Sequence, residues 1–295
     1  MGLVAQVAQS YFELMALDNE LTIVRRTLEA RREGVRLAEI RFKGGLTSEI
    51  VFQQAKVELA KTATMVPDLE RRISLKESEI ALLTGDFPYA VNRNVLPEEI
   101  QLPDALPLGL PSTLLERRPD IRKAERELIA AHAEVGLAYT NMFPRLALTA
   151  TLGAESETLR DLLKSPYSYL AGNLLSPLFA MGKNRAALKA KRAAYEGAVA
   201  EYEKTVLTAF KETHNAIINF NKIKDIYESR RQLAEASRTA VELAQLQYIN
   251  GVIGYLDLLD AQRNYFDAQV SLSNAVCDKQ LMIINLYKAL GGGWK

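Results

Sequence analysis

A glycine turn between two long helical patterns occurs twice in this chain, and this duplication constrains the fold more than any other feature of the sequence. The first turn contains Gly45 and the second contains Gly251, which sets a constant offset of 206 residues. Ungapped identities at that offset join Arg25, Glu29, Ala30, Arg32, Val35, Leu37, Ala38, Gly45, Ala55, Leu75 and Gly85 to Arg231, Glu235, Ala236, Arg238, Val241, Leu243, Ala244, Gly251, Ala261, Leu281 and Gly291. Chance rarely gives so many identities without a gap. The sequence therefore predicts a duplicated antiparallel hairpin of helix, tight turn and returning helix.

Apolar residues spaced by three or four predict a helix on each side of both turns. The helical ranges are 3–43 and 48–83 around the first turn, and 184–249 and 253–290 around the second. At about 1.5 Å per residue, each arm of the first hairpin would be roughly 55–60 Å long. The third of these ranges carries a heptad seam of small and aromatic residues, namely Val199, Tyr202, Val206, Ala209, Thr213, Ala216, Phe220, Ile223 and Tyr227. Such a seam is typical of a coiled coil.

The middle of the chain follows other patterns. Prolines at 88, 97, 103, 107 and 111 predict an extended connector over residues 86–112, followed by a short helix from 112 to 118 and a third long helix from 121 to 141. A two-residue repeat then predicts a strand whose one face carries Leu146, Leu148, Ala150 and Leu152, and a second strand falls within 167–179. Two strands alone leave unpaired edges, so we expect strands from a missing part of this chain or from other copies to complete the sheet.

These patterns predict a mainly α-helical protein in five segments. They are a first helical hairpin (1–85), a Pro-rich connector (86–112), a helix of the second repeat (113–143), a strand pair (144–180) and a second long hairpin (181–291). At the repeat offset, counterparts of 113–209 would begin roughly ninety residues before residue 1. We therefore expect the chain to start inside a longer protein.

Composition argues against several classes of function. The 37 basic and 36 acidic side chains give a net charge of +1, which provides no electrostatic reason to expect nucleic acid as a partner. There is no signal-peptide pattern and no apolar run of about 18 residues or more, so no membrane-spanning helix is predicted. The single cysteine, Cys277, cannot form an intrachain disulfide, and its place in a helical run favours a small buried residue over a reactive thiol.

The sequence nominates no catalytic residue, metal site or cofactor. His132 and His214 lie on different helices without Cys, Asp or Glu at metal-ligand spacing, which favours ordinary surface or hydrogen-bonded histidines. The glycines form no phosphate-binding pattern, and no Ser/His/Asp constellation is recognisable. We therefore do not expect an enzyme.

Three local motifs point to a known family. Leu114–Arg122 (LLERRPDIR) precedes the second repeat, Phe143–Leu148 (FPRLAL) leads into the first strand, and Leu256–Arg263 (LDLLDAQR) follows the second turn. Together with the duplicated hairpin they resemble the TolC-like outer-membrane efflux proteins, in particular the OprM/NodT lipoprotein branch.

This resemblance implies a fold and a location. Three identical chains would form a transmembrane β-barrel in the outer membrane of a Gram-negative bacterium and a long α-helical barrel projecting into the periplasm. Each chain would be a mainly α TolC-like protomer of antiparallel coiled-coil hairpins with one two-stranded β-hairpin in the barrel. The strand face of Leu146, Leu148, Ala150 and Leu152 would contact lipid.

The same resemblance implies a passive, periplasm-spanning duct in a tripartite efflux or secretion system that exports small molecules such as drugs. The partners would be a periplasmic adaptor protein and its inner-membrane pump. The residues that would contact the adaptor lie at the hairpin tips, and are Gly44, Gly45, Leu46, Thr47, Asn250, Gly251, Val252 and Ile253.

Two hypotheses remain open at this stage. Asp257 and Asp260 share one helix face, so three chains would place two rings of carboxylates at the channel aperture, where they would favour cations; alternatively, both side chains only solvate a helix start. The chain could also be a helical-hairpin adaptor or scaffold that binds partner coiled coils without forming a pore. That alternative leaves the strand pair without a role.

Overall fold

The computed structural model describes residues 2–93, 118–155, 166–176 and 178–292. Its elements in chain order are α1 (Gly2–Lys43), α2 (Glu49–Thr84), α3 (Pro119–Thr140), β1 (Arg145–Ala154), β2 (Pro166–Leu175), a 3-10 helix (Leu178–Ala180), α4 (Met181–Ile249) and α5 (Tyr255–Ala289). The predicted fold class, mainly α-helical with long hairpins and one strand pair, is confirmed. None of the helices in the described ranges combines the length and apolar character needed to cross a membrane.

One expectation about the elements needs correction. The second strand was expected within 167–179, but β2 ends at Leu175 and Phe179 lies in the 3-10 helix. The reason is that β1 begins at Arg145, directly after Pro144, so no strand partner exists beyond the Arg145–Leu175 pair. As the predicted range 48–83 requires, α2 continues through Pro67, although this residue has no N–H to donate to the preceding turn.

Part of the expected connector (94–112), most of the short helix expected from 112 to 118, and the polar interval 156–165 lie outside the described residues. The connector's first residues are described, and they return to the first hairpin. The Arg93 guanidinium donates to Asp18 on α1 at 2.8 Å and to Glu77 on α2 at 2.6 Å. Val91 is buried in the same region.

The chain divides into two compact units, one of Met1–Leu110 with Phe210–Lys295 and the other of Pro111–Ala209. In the first unit α1 and α2 pack along each other around a buried cluster of Leu14, Leu17, Leu21, Val24, Leu69, Ile73, Ile80 and Val91. A column at seven-residue spacing on α1 is buried throughout, and consists of Ser10, Leu17, Val24, Arg31 and Ala38. This spacing is the seam of a coiled coil.

The second unit contains the strand pair. β1 and β2 are antiparallel, and their register runs from Arg145 opposite Leu175 to Ala154 opposite Pro166. Because side chains alternate between the faces of a strand, one face carries Leu146, Leu148, Ala150, Leu152, Leu170, Gly172 and Leu174, with Ser168. We call this the leucine face. Its leucines are between 68% and 85% exposed, so nothing in the described part of the chain covers them.

Candidate functional site

The two glycine turns have the same hydrogen-bond pattern. At the first turn the Gly44 N–H donates to Ile40 O, Gly45 N–H to Phe42 O, and Leu46 N–H to Arg41 O. At the second turn the residues 206 positions later repeat all three bonds, from Asn250, Gly251 and Val252. The last two bonds of each set define a Schellman motif, which satisfies the orphan carbonyls at a helix C-terminus.

Each motif requires a residue in the left-handed region, and glycine provides it. Gly45 has φ = 72° and Gly251 has φ = 74°. The returning helices end in the same way, with φ = 82° at Gly85 after α2 and 83° at Gly291 after α5. Within the described residues every positive-φ residue is a glycine. The repeat read from the sequence is therefore a repeat of backbone geometry.

The tips of the two hairpins share one core in the first unit. The buried cluster contains Ala38 and Ala55 from the first hairpin and Ala244, Tyr248, Tyr255, Leu258 and Leu259 from the second. Alanine at three of these positions lets the helices approach closely. The two tyrosine rings meet edge to face, with centroids 5.8 Å apart.

Arg41 connects the first hairpin to the end of α4. Its guanidinium lies 4.7 Å from the centroid of the Tyr248 ring, and its Nη1 donates to the carbonyl oxygens of Tyr248 and Ile249 at 3.4 and 3.5 Å. These carbonyls belong to the last turn of α4, where helical partners are absent. Burial raises the pKa of the Tyr248 phenol. Among the described residues neither the Tyr248 hydroxyl nor Arg41 Nε has a hydrogen-bond partner.

Outside this core, each tip presents three exposed apolar side chains at repeat-equivalent positions. They are Ile40, Leu46 and Ile50 on the first hairpin, and Leu246, Val252 and Leu256 on the second. We call these six residues the tip apolar set. Among the predicted adaptor-contacting residues, Gly44, Gly45, Leu46, Asn250, Gly251 and Val252 are exposed, whereas Thr47 and Ile253 are half-buried. Ile253 packs against the shared core.

The predicted aperture carboxylates are both exposed near the start of α5. Asp257 Oδ2 accepts a hydrogen bond from the Gly254 N–H at 3.1 Å, so this side chain caps the helix. Asp260 Oδ1 lies 3.5 Å from Arg263 Nη1 on the next turn. Their described partners thus belong to the same helix end.

An ionic cluster behind the tips, with Arg31 and Glu58 buried and Arg263 exposed, was not predicted from the sequence. Glu58 on α2 accepts a hydrogen bond from Arg263 on α5 at 2.5 Å, and Arg31 on α1 lies 3.9 Å away. Arg31 also donates to Gln262 at 2.6 Å. The hydrogen bond from Arg263 lowers the pKa of the Glu58 carboxyl, while burial lowers the pKa of Arg31. The available signal was the position of Arg31 in the seven-residue column of α1, where a charged residue requires a buried partner.

The two histidines and the single cysteine lie in surroundings that do not indicate a metal or catalytic site. His132 is exposed and its ring lies 5.4 Å from that of Tyr195, and His214 is exposed as well. Cys277 is half-buried, its thiol donates to Phe12 O at 3.6 Å, and burial raises its pKa to about 11. The described ranges contain no group of three or more His, Cys, Asp or Glu side chains placed to hold a metal ion.

Comparisons with known proteins agree on one family. The family described as Outer membrane efflux protein matches residues 1–86 and 110–292. The outer membrane protein OprJ of Pseudomonas aeruginosa is 34% identical over 303 residues, which cover 99% of this chain and 62% of OprJ. The solvent efflux pump outer membrane protein SrpC of Pseudomonas putida is also 34% identical, covering 99% of this chain and 63% of SrpC. The solved outer-membrane channel OprN superposes with a TM-score of 0.87 at 31% identity, covering 99% of this chain and 66% of OprN. This chain thus spans slightly less than two thirds of the length of each.

Proposed function

Since this chain belongs to the outer membrane efflux protein family, we propose that it supplies the channel subunit of a tripartite efflux system. In this proposal it is a passive duct through which small molecules leave the periplasm across the outer membrane. Energy comes from a partner pump, and the chain itself catalyses no reaction. The relative SrpC is named for solvent efflux, which supports small molecules as the exported compounds.

The observation that carries the proposal is the exposed leucine face on a two-stranded sheet. A soluble scaffold would leave these leucines in water, where a contiguous apolar patch favours association. The sheet also has two unpaired edges within the described residues, since β1 and β2 pair only with each other. Both features are accounted for if strands from neighbouring copies close the sheet into a barrel and lipid covers the leucine face. We propose a homotrimer with the leucine face in the outer membrane.

The hairpin tips are the proposed contact with the periplasmic adaptor and, through it, with the inner-membrane pump. Their support is the tip apolar set, which places matching side chains at both tips of one chain. An adaptor that presents an amphipathic helical hairpin would find a similar apolar surface at each tip. We assign Gly44–Thr47 and Asn250–Ile253 to this contact, with Asp257 and Asp260 lining the aperture beside it.

The test is the molar mass of the chain in detergent, measured by light scattering with the detergent contribution subtracted. We expect three copies per particle. A folded monomer that stays soluble without detergent would contradict the channel and favour a hairpin scaffold that binds partner helices. Circular dichroism on the same sample provides the control, because an unfolded chain would lack the helical spectrum that α1–α5 require.

A further inference from the structure

A second surface lies in the second unit, next to the base of the strand pair, and it is strongly basic. Five exposed side chains form it, and we call them the basic belt: Arg145, Lys183, Arg185, Lys189 and Arg192. Between residues 166 and 195 the sequence contains no Asp or Glu, and the same holds from 135 to 154. In a chain whose total charge is +1, this is a marked local separation of charge.

Contacts place the belt at one defined end of the sheet. The Asn184 side chain at the start of α4 donates to Asn141 O at the end of α3, at a distance of 2.8 Å. Arg145, the first residue of β1, donates to the Asn141 side chain at 2.5 Å and lies opposite Leu175 in the register. The first turns of α4 are therefore level with the base of the leucine face. Glu155 follows the opposite end of β1.

The belt residues have no acidic partners in the described part of the chain. The neighbouring Lys191 forms an ion pair with Glu134 on α3, and so belongs to the α3–α4 packing. No described salt bridge includes a member of the belt, although ion pairs are common elsewhere in the described chain, the later turns of α4 included. Arg185, Lys189 and Arg192 are spaced by four and three residues and share one face of α4.

The positions also oppose the electrostatic preference of the helix. Acidic residues occupy the first turns of α2, α3 and α5, namely Glu49, Asp120 and Asp257, as the helix dipole favours. The first turn of α4 has no acidic residue; Lys183 lies there instead, and Arg185 follows directly after it. An external anionic surface would offset this unfavourable placement.

Exposed aromatic side chains lie beside the belt in the chain, at the end of α3 and just before α4. Phe143 packs edge to face on Tyr139 at the end of α3, and both are about half exposed. Phe179, just before α4, is fully exposed. Aromatic rings at this level, followed by Lys and Arg, are typical of the boundary between hydrocarbon and headgroups in membrane proteins.

We propose that the basic belt binds the headgroups of anionic phospholipids in the membrane leaflet nearest the helices. This inference rests on the proposed function, because it requires the leucine face to lie in a bilayer. Lys183 and Arg192 are about 14 Å apart along α4. The Debye length is about 8 Å at physiological salt, so the belt residues nearest the strands contribute most. The belt would fix the depth of the strand pair and select negatively charged lipid.

The experiment is co-flotation of the chain with vesicles into which it has been reconstituted from detergent. One set of vesicles contains phosphatidylcholine only, and the other contains phosphatidylcholine with phosphatidylglycerol. We expect the chain to float with both, and to associate more strongly with the anionic vesicles. A variant with Lys183→Gln, Arg185→Gln, Lys189→Gln and Arg192→Gln should lose this preference. Each replaced residue that lies close to the membrane surface should weaken association with the anionic vesicles about fivefold.

The matched control carries Arg26→Gln, Arg36→Gln, Arg72→Gln and Lys211→Gln, which are exposed residues of other regions outside the described salt bridges. It removes the same charge and should keep the preference for anionic vesicles. Raising the sodium chloride concentration should weaken the preference of the unmodified chain. A stronger effect of inorganic phosphate at equal ionic strength would show binding of the free ion and would contradict a lipid surface.

The outcomes separate this proposal from the one on which it rests. Equal association with both kinds of vesicle would overturn the belt and leave the membrane channel intact. Association with neither would overturn both proposals. An equal loss in the belt variant and its control would show that total charge, and not this surface, sets the preference.

Discussion

At the residue scale, the two turn glycines occupy a backbone region that other residues enter only at a cost. Replacing Gly45 with alanine would force an L side chain to adopt φ near 72°. No atom lies within 4 Å of the added methyl group, so the penalty is conformational and not steric. We expect Gly45→Ala, and equally Gly251→Ala, to lower the free energy of unfolding by about 1–2 kcal/mol. Urea denaturation measures this change.

The control for that prediction is Gly34→Ala. Gly34 lies inside α1, has a negative φ and also has free space around the added methyl group. Alanine favours a helix interior over glycine, so this variant should be stabilised by about 1 kcal/mol. If both substitutions shift the urea midpoint in the same direction, the assignment of a special backbone role to Gly45 is wrong.

Glu58 is the second residue whose replacement has a specific expected outcome. It accepts a hydrogen bond from Arg263 and pairs with Arg31 at 3.9 Å, and its side chain is only 9% exposed. Glu58→Gln would leave the buried Arg31 without its counter-charge, at a cost of about 3 kcal/mol. The reference variant is Glu70→Gln, whose ion pair with Arg25 is exposed and should contribute less than about 1 kcal/mol.

The pH dependence of stability should also differ between the unmodified chain and Glu58→Gln. The pKa of Glu58 is lowered from its ordinary value of 4.5, so the folded state binds fewer protons than the unfolded state there. This contribution is complete above about pH 4.5 and is lost as the pH falls through the folded pKa. Below about pH 4.5, the melting temperature of Glu58→Gln should therefore fall less steeply with decreasing pH than that of the unmodified chain. Thermal unfolding at several pH values measures both curves. Parallel curves would show that Glu58 contributes nothing to the acid sensitivity.

At the scale of elements, the strand pair allows a test in which position alone differs. Leu148 lies on the leucine face, whereas its neighbour Thr149 points to the opposite face. Leu148→Arg should destabilise the membrane-inserted form by about 2–4 kcal/mol if it meets lipid at mid-bilayer, while Thr149→Arg should be tolerated. The fraction recovered in folded, vesicle-bound form measures both variants. Equal tolerance of the two would place the leucine face outside lipid.

The elements show how far sequence reasoning extends. Helix ends at the glycine turns were predictable because Gly45 and Gly251 combine a repeat with a backbone requirement that few residues meet. The end of β2 was not, because Leu178 and Phe179 continue the apolar pattern and only the register against Arg145 shows where pairing stops. Pairing between distant segments was equally hidden: nothing local indicates that Glu58 meets Arg263, 205 positions away. For Asp257 the sequence offered a solvated helix start as the alternative to a channel aperture, and the structure shows a more specific contact, the hydrogen bond from the Gly254 N–H.

At the scale of the whole molecule, the proposed assembly gives Asp257 and Asp260 a measurable role. Three chains would place six carboxylates around the aperture, so Asp257→Asn with Asp260→Asn should reduce the preference for cations in single-channel recordings. Asparagine retains an oxygen acceptor for the Gly254 N–H, which limits damage to the helix start. The control is Asp68→Asn with Asp225→Asn, which removes the same number of exposed carboxylates per chain, from α2 and α4, away from the aperture. The hypothesis fails if both double variants leave ion selectivity equally unchanged.

The gap-free offset between the two hairpins limits how the length of this molecule can change in evolution. Both turns rest on one shared cluster, so an insertion in a single helix would displace one tip by about 1.5 Å per residue and separate it from the other. The buried column from Ser10 to Ala38 repeats every seven residues, and only insertions of whole heptads would preserve it. Lineages that lengthen or shorten this protein should therefore do so in all four arms together, in steps of about 10 Å.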